Sequence, residues 1–303
     1  MGMDFELLSV VPGLCDFRIV GENVKITNRP SGYILVTVMI IPQSIMDRLE
    51  KWFNAGYGLL PRLHRRAAVE PIVVGHRGVC GHPELKENTL EAFELAVSLG
   101  GGIELDLQLS ADGIPVVSHD PDLRRIHLVE SVIAETTLKD LKSQAPGLPT
   151  LDEVFTRFGK RCPHYFLESK VYQPAEKAAE LIAKIRALVK KHGLMKHVTL
   201  ISLDARPLDQ ARIVFPELPK AYIFYIDPKE AVDYALSHQD TGVAGWYFSY
   251  PVRIRKFLAE NNLHEGVGQI DYKNTMTACS NRGFRYQFTN RIDRVKGSME
   301  TRS

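Results

Sequence analysis

The sequence has no long hydrophobic run. Its most apolar stretch, Tyr33 to Pro42, falls well short of the ~20 residues that a membrane-spanning helix requires. The amino-terminal segment MGMDFELLSV has neither the basic start nor the apolar core of a secretory signal, and Glu6 stands where a myristoylation signal wants Ser or Thr. Paired cysteines are missing as well. Cys15, Cys80, Cys162 and Cys279 lie far apart with no CxxC pair, which excludes a zinc signature and a dense disulfide framework and leaves scattered, reduced thiols. Nor does one sign of charge dominate: 38 Lys+Arg against 36 Asp+Glu leave a net charge of +2, with no concentrated basic face to grip a nucleic acid. The expectation is a cytoplasmic chain without a transmembrane segment, at most peripheral to a membrane, that does not bind nucleic acid.

What is present is an ordinary globular balance, 45% hydrophobic and 24% charged residues over 303 positions. That length allows one large or two medium domains, and α/β barrels use it as one. From about residue 71, short apolar runs alternate with helical patterns. Strands are expected over 71–75, 102–108, 164–169, 197–202, 220–226, 243–249, 266–272 and 285–290. Helices are expected between them. Glu87 to Ser98 carries Leu90, Phe93, Ala96 and Val97 on one stripe, and Ala175 to Lys191 repeats the pattern; others cover roughly 207–215, 228–237, 251–261 and 273–282. Eight strands alternating with helices predict parallel βαβ units closed into a (β/α)8 TIM barrel over 71–303. Residues 1–70 differ: 24–41 read as a β-hairpin with a Pro-Ser-Gly turn, and Ser44 caps a helix carrying Ile45, Leu49 and Trp52. A basic linker, 61–71, leads into the barrel, and no chemistry is visible in this extension.

A TIM barrel carries its chemistry at the carboxyl ends of its strands, and the polar residues gather there. His76 and Arg77 follow the first strand, Glu104 and Asp106 lie towards the end of the second, and Glu168 and Lys170 close the third. His119-Asp120 ends a short extended stretch, IPVVS, after the second strand. Alternation puts Glu104, Asp106 and Gln108 on one side of their strand and Ile103, Leu105, Leu107 and Leu109 on the other. Carboxylates so close repel one another and are costly to desolvate without positive charge among them. Three of them at one barrel mouth call for a divalent cation, and hard oxygen ligands suit Mg²⁺ or Ca²⁺ rather than zinc. Arg77 and Lys170 suit a phosphate at the same mouth. His76 and His119 supply groups whose ordinary pKa of ~6.5 fits proton transfer near neutrality. Together these features point to phosphodiester cleavage.

The ordered set His76-Arg77-Gly78, Glu87-Asn88-Thr89, Glu104/Asp106, Asp112-Gly113 through His119-Asp120, Pro149-Thr150-Leu151 and Glu168/Lys170 resembles the glycerophosphodiester phosphodiesterase family. The resemblance covers about 71–296 and implies the same (β/α)8 barrel. It implies that Glu104, Asp106 and Glu168 bind the metal, that His76 and His119 act as general acid and base, and that Arg77 and Lys170 hold the phosphate. It gives Glu87 the task of orienting Arg77 or His76. Residues 121–148 occupy the place of the family's insertion, where Arg124, Arg125 and Leu128 are expected to shape the substrate entrance. The chain departs from the family pattern at Lys86, where a Pro usually precedes the ENT motif. It departs again in GQIDY, where Ile270 stands in place of an expected Trp; Trp246 and Tyr247 are candidates for that aromatic surface.

The activity so implied is metal-dependent hydrolysis of a glycerophosphodiester to glycerol 3-phosphate and an alcohol. Lysophospholipase D-like action on a lysolipid is the alternative, and a catalytically silent binding barrel the third reading.

Overall fold

The computed structural model describes residues 23–28, 34–39, 70–170, 175–225 and 227–297. The chain divides into two compact units, Met1–Leu59 and Leu60–Ser303. In the first, β1 (Asn23–Asn28) and β2 (Ile34–Met39) pair antiparallel, with Asn23 opposite Met39 and Asn28 opposite Ile34. This is the expected hairpin. Its Pro-Ser-Gly turn, the helix expected after Ser44 and most of the basic linker lie outside the described residues.

In the second unit the apolar runs become the parallel strands β3 (Ile72–Gly75), β4 (Gly102–Leu109), β6 (Tyr165–Ser169), β7 (Val198–Ser202), β8 (Lys220–Phe224), β9 (Thr241–Trp246), β10 (Glu265–Gly268) and β11 (Tyr286–Thr289). They run in the order β3-β11-β10-β9-β8-β7-β6-β4, and β3 pairs with β4 to close the barrel. The extra strand β5 (Pro115–Val117) folds back antiparallel on β4, Leu107 opposite Val117. Gly113, at φ +74, sits in the turn between them. Strand pleating decides the layers. Ile103, Leu105, Leu107 and Leu109 are all 0% exposed, and burying each contributes about 1.5–3 kcal/mol. On the opposite faces Val74, Phe166, Ile201, Ala221 and Tyr286 pack together inside the barrel, below the mouth.

The helices follow the apolar stripes. α1 (Leu90–Ser98) starts at Thr89, whose side chain accepts from Ala92 N, and buries Ala92, Phe93, Ala96 and Val97. α5 (Ala175–Lys191), α6 (Ala205–Val214), α7 (Lys229–His238), α8 (Val252–Glu260) and α9 (Lys273–Asn281) occupy the expected places, and α10 (Ile292–Lys296) ends the barrel. Three helices have no counterpart in the sequence reading: α2 (Arg124–His127), α3 (Leu138–Gln144) and α4 (Leu151–Phe158). The cause for α4 is visible afterwards, since Thr150 and Glu153 form a reciprocal capping box.

Four strands end earlier than expected. β8 stops at Phe224 rather than 226, and β11 stops at Thr289 rather than 290. β9 stops at Trp246 rather than 249, and β10 stops at Gly268 rather than 272. Gln269 adopts φ +64, which no strand tolerates, so Ile270 lies beyond β10 and is fully buried. Among the described residues no helix is long and apolar enough to cross a membrane. Cys80, Cys162 and Cys279 are free thiols.

Candidate active site

The site starts at the turn that ends β3. A Cβ on Gly75 would come within 2.0 Å of Gly78 O, and one on Gly78, at φ +80, within 2.8 Å of the Ala92 backbone. Only glycine permits this approach. Arg77 between them is held at φ +50, a conformation that costs a non-glycine residue on the order of 1–3 kcal/mol. The turn aims Arg77 into the mouth. Its backbone N–H donates to Glu104 Oε2 at 2.8 Å, Nη1 donates to Glu87 Oε1 at 2.9 Å, and Nε lies 3.2 Å from Asp106 Oδ2.

The carboxylates meet because of strand register. Asp106 of β4 stands opposite Glu168 of β6, and Glu104 lies two residues back on the same face. Oxygens of Glu104, Asp106 and Glu168 all come within 4.8 Å of one another, on residues 1%, 0% and 6% exposed. Lys170 Nζ reaches in at 2.8 Å from Asp106 Oδ1 and 2.5 Å from Glu168 Oε1. Asn88 adds a hydrogen bond from Nδ2 to Asp106 Oδ2 at 2.8 Å.

These contacts divide the charges. Burial, then repulsion from Asp106 and Glu168, pushes the Glu104 carboxyl well above its usual range. Burial would raise Asp106 too, but Lys170, Arg77 and His119 overcome it and hold that carboxylate ionised. Burial opposes the Lys170 ammonium, and Asp106 and Glu168 more than restore it, so its pKa lies above the ordinary lysine value. Glu104 Oε1 is buried without a hydrogen-bond partner. A buried acceptor left unpaired, in an all-oxygen donor set carrying more negative than positive charge, fits a hard divalent cation.

Two imidazoles flank the carboxylates. His76 Nδ1 lies 2.7 Å from Asn290 Oδ1, and its Nε2 lies 3.8 Å from Glu104 Oε2. Burial, reinforced by the Arg77 charge, lowers the His76 pKa to about 4 and keeps the ring neutral. His119 reaches the mouth because β5 folds back along β4, where Ser118 N donates to Asp106 O at 3.0 Å. Gln108 Nε2 pins the following loop by donating to Ser118 O at 2.8 Å and Asp120 O at 2.6 Å. His119 Nδ1 lies 2.8 Å from Asp120 Oδ1, Arg125 Nε donates to Asp120 Oδ2 at 2.6 Å, and Arg125 Nη2 donates to Glu87 Oε1 at 2.6 Å. Burial would raise the Asp120 carboxyl, yet the hydrogen bonds from His119 and Arg125 hold it below the usual carboxylate range.

All eight residues singled out in the sequence therefore belong to one connected mouth: His76, Arg77, Glu87, Glu104, Asp106, His119, Glu168 and Lys170. Glu87 contacts Arg77 and Arg125. Of the insertion residues, Arg125 joins the network, whereas Arg124 turns to Asp122 and Glu130 and Leu128 is 86% exposed. Of the aromatic candidates, Tyr247 is buried and Trp246 half-buried; two aromatics that were not candidates, Tyr225 and Phe248, after β8 and β9, are each 54% exposed. Sequence reasoning gave no role to Asn88, Asp120 and Asn290. Asn88 and Asp120 stood inside recognised motifs; Asn290 carried no local signal.

The sequence profile of the glycerophosphoryl diester phosphodiesterase family matches residues 76–260. A glycerophosphodiester phosphodiesterase of Caldanaerobacter subterraneus is 24% identical over 220 residues, covering 69% of this chain and 89% of that protein. A Bacillus subtilis protein of the same name is 31% identical over 173 residues, 49% of this chain and 57% of its own length. Among solved structures, an Oleispira antarctica phosphodiesterase in complex with its product sn-glycerol-3-phosphate superposes with a TM-score of 0.65 at 23% identity, covering 76% of this chain and 97% of that one. A barrel whose carboxylates, cations and imidazoles converge at one mouth, and whose sequence matches that profile from His76 onward, belongs to the glycerophosphoryl diester phosphodiesterase family of phosphoric diester hydrolases.

Proposed function

We propose that the protein hydrolyses glycerophosphodiesters to glycerol 3-phosphate and an alcohol, with Glu104, Asp106 and Glu168 holding a divalent cation, Mg²⁺ or Ca²⁺. One observation carries this reading: three buried carboxylates share 4.8 Å of space, and one of them keeps an unpartnered oxygen. A bound divalent cation would polarise the phosphoryl group and offset the charge that develops on it. Arg77 and Lys170 bring the positive charge that a phosphodiester anion needs at the same mouth. Glu87 positions Arg77 through the 2.9 Å contact to Nη1. His76, kept neutral by burial, accepts a proton from the nucleophile, which is water or the neighbouring glycerol hydroxyl. On the second route the alcohol leaves with formation of a cyclic phosphate, which water then opens to glycerol 3-phosphate. His119, its Nδ1 engaged by Asp120, delivers a proton to the departing alcohol. The catalytic unit in this reading is residues 71–303, in a cytoplasmic protein with at most peripheral membrane contact.

Turnover of glycerophosphocholine tests the reading. Activity should disappear on chelation, return on adding Mg²⁺ or Ca²⁺, and be lost in Glu104→Ala. A wild-type protein inert towards the soluble diester with either cation would overturn it. The half-exposed Tyr225 and Phe248 rings favour a second reading, action on lysolipids at a membrane surface. Comparing lysophosphatidylcholine with glycerophosphocholine separates the two.

A further inference from the structure

GQIDY, the segment that departs from the family pattern, contributes to the site in an unexpected way. Asp271 follows the end of β10, and Asn290 follows β11. The Asp271 carboxylate takes three hydrogen bonds from the neighbouring strand end: Thr289 Oγ1 at 2.8 Å and Asn290 N at 2.7 Å donate to Oδ1, and Asn290 Nδ2 at 2.9 Å donates to Oδ2. Gln269 Oε1, at 3.3 Å, is a second acceptor for the same amide nitrogen. A carboxylate only accepts, so the Asn290 side-chain amide has a single orientation: its NH2 faces Asp271 and its oxygen faces away. That oxygen lies 2.7 Å from His76 Nδ1 and 3.0 Å from Cys80 Sγ, and the thiol donates to it as well.

We propose that Asp271 and Asn290 are positioning residues that fix the tautomer of His76. The Asn290 oxygen can only accept, so Nδ1 must carry the hydrogen. The lone pair of the neutral ring is then on Nε2, the nitrogen that faces the carboxylate cluster 3.8 Å from Glu104 Oε2. An asparagine presented the other way round would offer N–H to Nδ1, move the hydrogen to Nε2 and leave no base facing the mouth. Asp271 prevents this without touching the ring. The inference deepens the proposed role of His76 and rests on it for its catalytic meaning, though not for the tautomer itself.

The test is ¹⁵N NMR of histidine-labelled protein in EDTA, without substrate, with the His76 resonances assigned through His76→Gln. The expected wild-type signature is a pyrrole-type Nδ1 with a pyridine-type Nε2. In Asp271→Asn, which keeps the shape but lets the Asn290 amide turn over, the two nitrogens should move towards the opposite tautomer. In turnover assays kcat should fall about 10- to 100-fold with KM nearly unchanged, the scale expected for removing an orienting partner. A wild-type His76 carrying its hydrogen on Nε2 overturns the proposal. So does an Asp271→Asn protein with wild-type His76 resonances. The wild-type spectrum decides the matter even where the variant does not fold. An Nδ1–H signature in a protein inert towards glycerophosphodiesters would uphold the positioning inference while the functional reading fails.

Discussion

Asp106 and Glu168 stand opposite each other on β4 and β6, and one ammonium group serves both. Lys170 Nζ lies 2.8 Å from the first and 2.5 Å from the second, with its side chain only 7% exposed. Removing that ammonium leaves two buried carboxylates without their shared counter-charge. Lys170→Met should lower the unfolding free energy by about 3–5 kcal/mol in EDTA, measured by urea denaturation. Saturating Mg²⁺ or Ca²⁺ should recover part of the loss, because the cation neutralises the same oxygens. An equal loss with and without cation would speak against a shared site.

In the proposed cation site, Glu104 couples cation binding to protons. Its folded-state pKa is raised above the usual 4.5. In the cation-free chain the folded state therefore binds the extra proton, and stability falls as pH rises through 4.5 towards the folded-state value. Cation binding must expel that proton. Calorimetric titration above pH 4.5 in buffers of different ionisation enthalpy should detect proton release where Glu104 is still protonated, and affinity should weaken on acidification. Glu104→Gln should abolish the release.

At the other end of the barrel interior, Thr199 Oγ1 bridges His164 Nε2 and His264 Nδ1, each at 2.8 Å. Burial lowers these histidines to about 3 and about 4. Both are depressed below the usual 6.5, so unfolding takes up protons. The stability is complete above about pH 6.5 and is lost as pH falls towards 4, with a slope of about 1.4 kcal/mol per pH unit for each proton. Chemical denaturation across that window should show the slope, and His264→Gln should flatten it.

Arg125 ties the inserted segment to the mouth, with contacts of 2.6 Å to both Asp120 and Glu87. Arg125→Ala should free the Asp120 carboxylate that engages His119. The expected result is a fall of about 10- to 100-fold in kcat with a smaller change in KM. Its thermal midpoint should stay near wild type, since the side chain is 41% exposed.

Gly78→Ala combines φ +80 with a Cβ 2.8 Å from the Ala92 backbone. A destabilisation of about 2–4 kcal/mol is expected, read by urea unfolding.

The eight barrel strands were legible because each is an apolar run of period-two or continuous type bounded by turn residues. The carboxylate set was legible because residues two apart on a strand must share a face. Helix α4 escapes the sequence pattern although Thr150 and Glu153 carry a capping signal, because the same Pro-Thr-Leu stretch also forms part of the family motif. The end of β10 was missed because the left-handed Gln269 looks, in sequence, like any other polar residue. Asn290 was illegible for a different reason. It meets His76 across 214 positions of sequence, and a lone asparagine has no periodicity to betray such a contact.

That contact crosses the seam where β3, first of the barrel strands, pairs with β11, the last. Until the final strand docks, His76 has no Asn290 beside it, so sealing the cylinder and pairing the imidazole are one event. A chain stalled short of its last strand during synthesis would still lack the Asn290 partner of His76, even with all three carboxylates in place. If His76 acts as proposed, turnover during refolding would report the arrival of the carboxyl-terminal strand rather than the assembly of the acidic cluster.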